Sequence, residues 1–199
     1  HDLDLSARWW ALTTLDSSSS PAARDARRFI SLNEPVAELR AEAIRQIGEY
    51  DRPTGSDMVQ ASLGDPSSLV RSAAIRALAA GDTAAAQARA VAMITTDPSF
   101  TVQRAALSVY DPAIAPQGTA LLIDRIEHGG ATDVRIQAAE RLARKPDAAG
   151  LDALESMTAE KEPRNVRTVA LELLARWPDT SRGVAVATRY LTDGDPIFA

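Results

Sequence analysis

The stretch Asp65-Pro66-Ser67-Ser68-Leu69-Val70-Arg71-Ser72-Ala73-Ala74-Ile75-Arg76-Ala77-Leu78 sets the reading of the whole chain. An acid and a proline open it, and apolar or small residues then stand at Val70, Ala74, Ile75 and Leu78. Those positions trace one face of a helix with 3.6 residues per turn. Proline is tolerated in a first helical turn, and an acid there suits the positive end of the helix dipole.

The pattern recurs. An apolar or small residue followed by Arg stands at Ala7-Arg8, Leu39-Arg40, Val70-Arg71, Val134-Arg135 and Val166-Arg167, and Val102-Gln103 fills the remaining slot. Subtracting residue numbers gives spacings of 32, 31, 32, 32 and 32. Three residues after this anchor stand Ala11, Ala43, Ala74, Ala106, Ala138 and Ala170. Four after stand Leu12, Ile44, Ile75, Leu107, Ala139 and Leu171; seven after stand Leu15, Ile47, Leu78, Tyr110, Leu142 and Leu174. The alanine column marks where a neighbouring helix comes close. Ala106→Leu is therefore expected to overpack, at ~1–3 kcal/mol, and to cost more than Ser72→Leu on the surface.

Punctuation keeps the same register. Turns precede the anchors at Glu34-Pro35, Asp65-Pro66, Asp97-Pro98 and Glu162-Pro163, and breakers follow at Pro21, Pro53, Gly81, Pro112 with Pro116, Pro146 and Pro178. Between breaker and next turn the spacing predicts further helices over 22–32, 54–63, 83–95, 117–128, 148–159 and 181–191, with apolar residues such as Val184, Ala187 and Leu191 at helical intervals. One helix pair cannot hide its own apolar stripe, so neighbouring pairs must stack. The expected fold is all-α, a superhelical α-solenoid of about six two-helix repeats, with residues 1–199 forming one repeat domain. The chain starts at His1 without Met, and Asp195-Pro196 looks like a further turn, so the domain is expected to be excised from a longer chain. Trp9, Trp10 and Phe198 would suit covered end faces or ordinary caps. Ser17–Ser20 interrupts nothing in the period and reads as a loop between repeats; Gly129-Gly130 replaces the acid-Pro turn and reads as a looser loop.

Composition excludes several kinds of chemistry. Among 199 residues there is no Cys, which removes disulfides and thiolate metal sites. His1 and His128 are the only histidines, too few and too far apart for a zinc site or a Ser-His-Asp triad. No glycine-rich phosphate cradle occurs. Paired acids such as Glu140 and Glu172 lack the sugar-lined cleft that a glycosidase needs, and aromatics are only 5% of the chain. No catalytic residue, metal or cofactor is expected. A net charge of -5 argues against a nucleic-acid surface, and no apolar run approaches the ~18 residues that would cross a membrane.

Two surfaces could bind a partner. The arginine column, Arg8, Arg40, Arg71, Arg135 and Arg167, could form an anion-binding ladder. Acids recur upstream at Asp2, Glu34, Asp65 and Asp97, so the plainer reading is an Asp–Arg ladder that staples turn to turn. The other surface is a groove formed by positions one and five after each anchor: Trp9/Thr13, Ala41/Arg45, Ser72/Arg76, Arg104/Ser108, Ile136/Glu140 and Thr168/Glu172. It reads basic in the middle and acidic at the end. Trp9, Arg45, Arg76, Arg104, Glu140 and Glu172 are its candidate partner-binding residues, for a protein or peptide partner.

The anchor pattern Asp-Pro-x-x-x-Val-Arg-x-x-Ala-x-x-x-Leu, met in full by Asp65–Leu78, resembles the HEAT-repeat family, which implies an α-solenoid and a scaffold or binding role. Gln103 departs from it, and Thr132–Leu142 lacks the Asp-Pro. A narrower likeness lies in three stretches, 2–12, 39–43 and 97–107. They resemble the C-terminal HEAT-like region of bacterial aminopeptidase N-like (gluzincin) zinc peptidases. That likeness implies a non-catalytic accessory solenoid that buttresses or covers a catalytic domain; none of the zinc motif is present. The DNA-alkylation-repair glycosylases, another HEAT-like family, use a basic groove that this acidic chain does not offer.

Overall fold

The computed structural model describes residues 4–52, 55–178 and 180–192. Asp2, Pro53, Asp195-Pro196 and Phe198 lie outside these residues, as do the side chains of Ala187 and Leu191. The described residues hold twelve helices and no strand. Six carry the anchors: α1 (Leu5–Thr14), α3 (Ala37–Tyr50), α5 (Ser68–Gly81), α7 (Phe100–Val109), α9 (Thr132–Leu142) and α11 (Arg164–Ala175). Six alternate with them: α2 (Pro21–Asn33), α4 (Ser56–Ser62), α6 (Thr83–Thr96), α8 (Ala120–His128), α10 (Ala148–Ser156) and α12 (Thr180–Thr192).

The chain divides into two compact units, His1–Val109 and Tyr110–Ala199. In the first, α1, α3, α5 and α7 pack in series, and α2, α4 and α6 each lie against the anchor helix that follows. In the second, α9 packs on α11, with α8 on α9, α10 on α11 and α12 on α11. The repeat-like packing is that of a HEAT-like α-solenoid.

The anchor register sets the cores. Leu39, Val70 and Val102, their alanines Ala43, Ala74 and Ala106, and Ile44, Ile75 and Leu107 are all buried in the first unit. Val134, Ala138, Ala139 and Leu142, then Val166, Ala170 and Leu174, repeat this in the second. α1 departs from the column. Only Leu12 is buried there and Ala11 is exposed, because α1 meets the series on one side, at α3. Alanine is not the tightest approach. A Cβ on Gly48 of α3 would fall 2.4 Å from the Cβ and 2.8 Å from the Cα of Ala77 on α5. Those two helices pack closely enough that only glycine fits at Gly48.

The acid-Pro turns work differently from the sequence expectation. Pro35 and Pro66 precede the N-caps, Val36 and Ser67, so neither lies in a first helical turn. The acids instead accept backbone amides two residues on: Asp65 Oδ1 from Ser67 at 2.7 Å, Asp97 Oδ1 from Ser99 at 2.9 Å. Such Asx turns close the loop locally.

The serine run is an ordered loop between α1 and α2. Ser17 takes a left-handed φ of 66°, and Ser20 caps α2 by accepting from the Ala23 amide at 3.2 Å. Arg27, fully buried on α2, holds this loop from inside. Its guanidinium donates to Leu15 O and Ser18 O, both at 2.8 Å, and grips Asp51 with bonds of 2.8 and 2.5 Å. Four of the five N–H groups of the buried cation meet acceptors, as burial of a charge requires. In the second unit α8 starts at Ala120, three residues later than the spacing predicts. Gly118 adopts a φ of 52°, and the buried Tyr110 hydroxyl donates to its carbonyl at 2.7 Å, so Gln117–Thr119 turn instead.

Candidate functional site

The arginine column is a ladder, and its polarity is forward. Arg40 forks onto Asp65 of the next turn at 3.1 and 3.0 Å, and its Nη1 donates back to the carbonyls of Glu34 and Pro35 at 2.8 and 3.1 Å. Arg71 repeats this with Asp97, at 2.8 and 2.8 Å, and with the carbonyls of Asp65 and Pro66. Arg8 pairs with Glu34, and Arg135 with Glu162 at 2.7 and 3.0 Å. Gln103 keeps only the backward bond, to Asp97 O at 2.8 Å. The sequence pointed to acids upstream of each arginine; the carboxylate partner is in fact the acid downstream, while the upstream turn supplies carbonyls.

These pairs set the charge states of the acids. Burial alone pushes the Asp65 and Asp97 carboxyls up, but the Arg40 and Arg71 forks, with the Ser67 and Ser99 amides, hold both below the usual carboxylate range. Arg135 does the same for Glu162 against a smaller burial effect. The Arg40, Arg71 and Arg135 forks are already filled by carboxylates, so these members of the column are fasteners between turns.

The groove positions fare differently. A cleft of about 620 Å³ opens between α3 and α5 and includes Trp9, Arg45 and Arg76 in its lining. Its floor is made of small residues, Ala41, Gly48, Ala73 and Ala77, which let an occupant come near the helix backbones. At one end stand Trp9 and Leu69, 41% and 43% exposed. A second hollow, lined by Leu5, Trp10 and Val36, shares Trp9 and Glu38 with it, so the apolar surface continues past the Trp9 ring. At the other end stand Arg76 and Arg52, and Arg52 donates to the Ala80 carbonyl at the end of α5.

Two expectations about this groove need correction. Ser72, placed there as a surface position, is only 3% exposed and lines the cleft wall from within the helix packing. Nor is the middle simply basic. Arg45 is held by Glu42 at 2.6 Å, Glu49 at 2.6 Å and Asp16 at 3.2 Å, so its charge is already matched. Arg76 makes no ion pair among the described residues. Arg104 is exposed on α7 but does not line the cleft. Glu140 and Glu172, exposed on α9 and α11, belong to the second unit.

Sequence reasoning missed Leu69, Ala73 and Ala80 as lining residues. They share a face of α5 with Ser72 and Arg76 at intervals of three, four and seven, a stripe that helical spacing could have found. Arg52 follows α3 out of register and carries no such signal.

Helices of this kind, stacked in pairs with a recurrent Arg and Ala, define an α-helical repeat fold of HEAT-like form. Residues 27–110, from α2 through α7, match the family model for HEAT repeats, which supports placing the protein in a HEAT-repeat family. No curated protein matches the chain. The match is to HEAT repeats in general and lends nothing to the narrower likeness to aminopeptidase N relatives. Among the described residues no three His, Asp or Glu side chains are grouped to hold a metal, and no helix is long and apolar enough to cross a membrane.

Proposed function

We propose that this chain is a non-catalytic, protein-binding scaffold module, and that the α3–α5 cleft receives a segment of the partner. The carrying observation is the cleft itself: an alanine-and-glycine floor flanked by the exposed side chains of Trp9 and Leu69. HEAT repeats commonly mediate protein interactions, and exposed apolar surface in a concave site is the usual mark of one. The test is selection of a displayed library of random peptides of about twelve residues on the whole chain. Selected peptides should lose binding to Leu69→Asp and to Ala80→Trp, both at exposed lining positions, while helical content and thermal unfolding stay as in the parent. Peptides that bind both variants undiminished would remove the cleft as the site.

A second reading rests on the three stretches that resemble the C-terminal region of aminopeptidase N-like zinc peptidases. In that reading the partner is a catalytic domain in the same polypeptide. The coding sequence upstream of His1 decides it. A His-Glu-x-x-His helix with a downstream Glu supports it, and its absence there ends it.

A further inference from the structure

Three features of the cleft wall narrow what can lie in it. Leu69, Ser72 and Arg76 stand along one face of α5. Leu69 and Arg76 are seven residues apart, about 10 Å along a helix rising 1.5 Å per residue. The Ser72 Oγ is buried and has no hydrogen-bond partner. A helical serine ordinarily returns its hydroxyl to a carbonyl one turn back, and Ser72 does not. Among the described residues Arg76 is a cation without a carboxylate, in contrast to the neighbouring Arg45 with its three.

Resting on the cleft as the binding site, we infer that its occupant is an extended acidic peptide, with an apolar residue on Trp9 and Leu69 and a carboxylate three residues away on Arg76. A partner helix has its backbone groups bonded internally and offers nothing from its main chain to Ser72. An extended peptide presents free N–H and C=O groups at each residue, and one of these meets the Ser72 hydroxyl when that side chain turns out of the helix packing into the cleft. In the polyproline II conformation three residues make one turn and rise about 9 Å, so side chains three apart share a face and match the separation of Leu69 from Arg76. Other acids at the cleft do not oppose this placement. Glu42 and Glu49 are bound by Arg45, and Glu38 lies beside Trp9 at the apolar end. The carboxylate end holds Arg76 with Arg52.

The probe is a fluorescein-labelled synthetic peptide of alternating Pro and Gly that carries one Leu and one Asp three residues apart, titrated onto the full chain by anisotropy. Asp→Asn in the peptide or Arg76→Gln in the protein should each weaken binding by about tenfold, as loss of a charge-assisted pair does. Ser72→Ala should weaken it several-fold. Arg76→Glu should reject the Asp peptide and accept one carrying Lys there, a swap that misfolding could not produce. An equal Kd for the Asp and Asn peptides would overturn the inference, as would failure of the charge swap. Library peptides that need Leu69 and Ala80 but carry basic residues, or helical anchors seven apart, would overturn it while leaving the cleft as the site. Library peptides indifferent to Leu69 and Ala80 would overturn both.

Discussion

Removing the Asp51 carboxylate should unfold the first unit far more readily than removing any exposed acid. The Arg27 and Asp51 side chains are 0% and 3% exposed. Asp51→Ala takes away two of the four hydrogen bonds that the Arg27 guanidinium makes and leaves its charge buried with only the Leu15 and Ser18 carbonyls and the face of the Tyr50 ring, 5.9 Å away. Breaking one partner of a buried pair costs ~3–5 kcal/mol. For a chain of this size each kcal/mol moves the midpoint by roughly 2–4 °C, so the transition should fall by roughly 6–20 °C. The assay is thermal unfolding followed by tryptophan fluorescence in a Trp177→Phe background, where Trp9 and Trp10 report on the first unit alone. Asp16→Ala is the control. Its pair with Arg45 is 44% exposed on both sides and should be worth less than ~1 kcal/mol. Replacing both partners, Arg27→Met with Asp51→Leu, should recover part of the loss, since apolar side chains tolerate the site that a lone cation cannot. If Asp51→Ala costs no more than Asp16→Ala, the reasoning about the buried clamp is wrong.

Ala106→Leu, at a fully buried column position, should destabilise by ~1–3 kcal/mol, whereas Thr95→Leu on an exposed face of α6 should change stability little; equal urea midpoints would contradict the register. Acid should loosen the arginine ladder. Asp65, Asp97 and Glu162 have folded pKa values below the unfolded ~3.9 and ~4.3, so they bind fewer protons folded than unfolded as the pH falls through that range. Their contribution is fully present above about pH 5 and is lost as the pH drops through the folded values. Urea midpoints should hold from pH 7 to about 5, then fall, and Asp65→Asn with Asp97→Asn should flatten that fall. Loss that begins above pH 6 would point to other groups.

The fold was legible because its signal repeats. Six anchors spaced 31 or 32 residues apart, each with Ala three residues on, place a helix face that burial then enforces at Val70, Ala74 and Leu78 and at their counterparts beyond α1. Helix ends came within a few residues wherever a proline or glycine marks them, and α8 shifted because Tyr110 binds a turn that no residue type announces. The site was harder to read. Trp9, Arg45 and Arg76 do line one cleft, but whether a charge is free depends on neighbours that the sequence separates. Arg45 is neutralised by Asp16, 29 residues earlier, as well as by its own helix. Arg27 was not singled out from the sequence, although Ala23, Arg27 and Ser31 form a buried stripe on α2 at intervals of four. Composition alone gives no reason to put an arginine there; only Asp51 and the two loop carbonyls do.

The forward polarity of the ladder bears on how such a chain changes through inheritance. Arg40, Arg71 and Arg135 each bind an acid 25 to 27 residues further on, Asp65, Asp97 and Glu162, and Arg40 and Arg71 also bind the carbonyls of their own turn. The units of Arg40 and Arg71 thus each carry an acceptor for the unit before and a donor for the unit after. Duplicating or deleting a unit of 31 or 32 residues that carries both groups leaves the pairs matched, so the number of such units can drift without repair. A single substitution has no such freedom, because it orphans a charge in a neighbouring unit and favours a second change there. The sequence holds one such matched loss: Gln103 stands in place of an arginine, and the turn that follows it 26 and 27 residues later is Gly129-Gly130, with no acid. Correlated changes among descendants of this gene should therefore fall between successive units, at that offset, more than within any one of them.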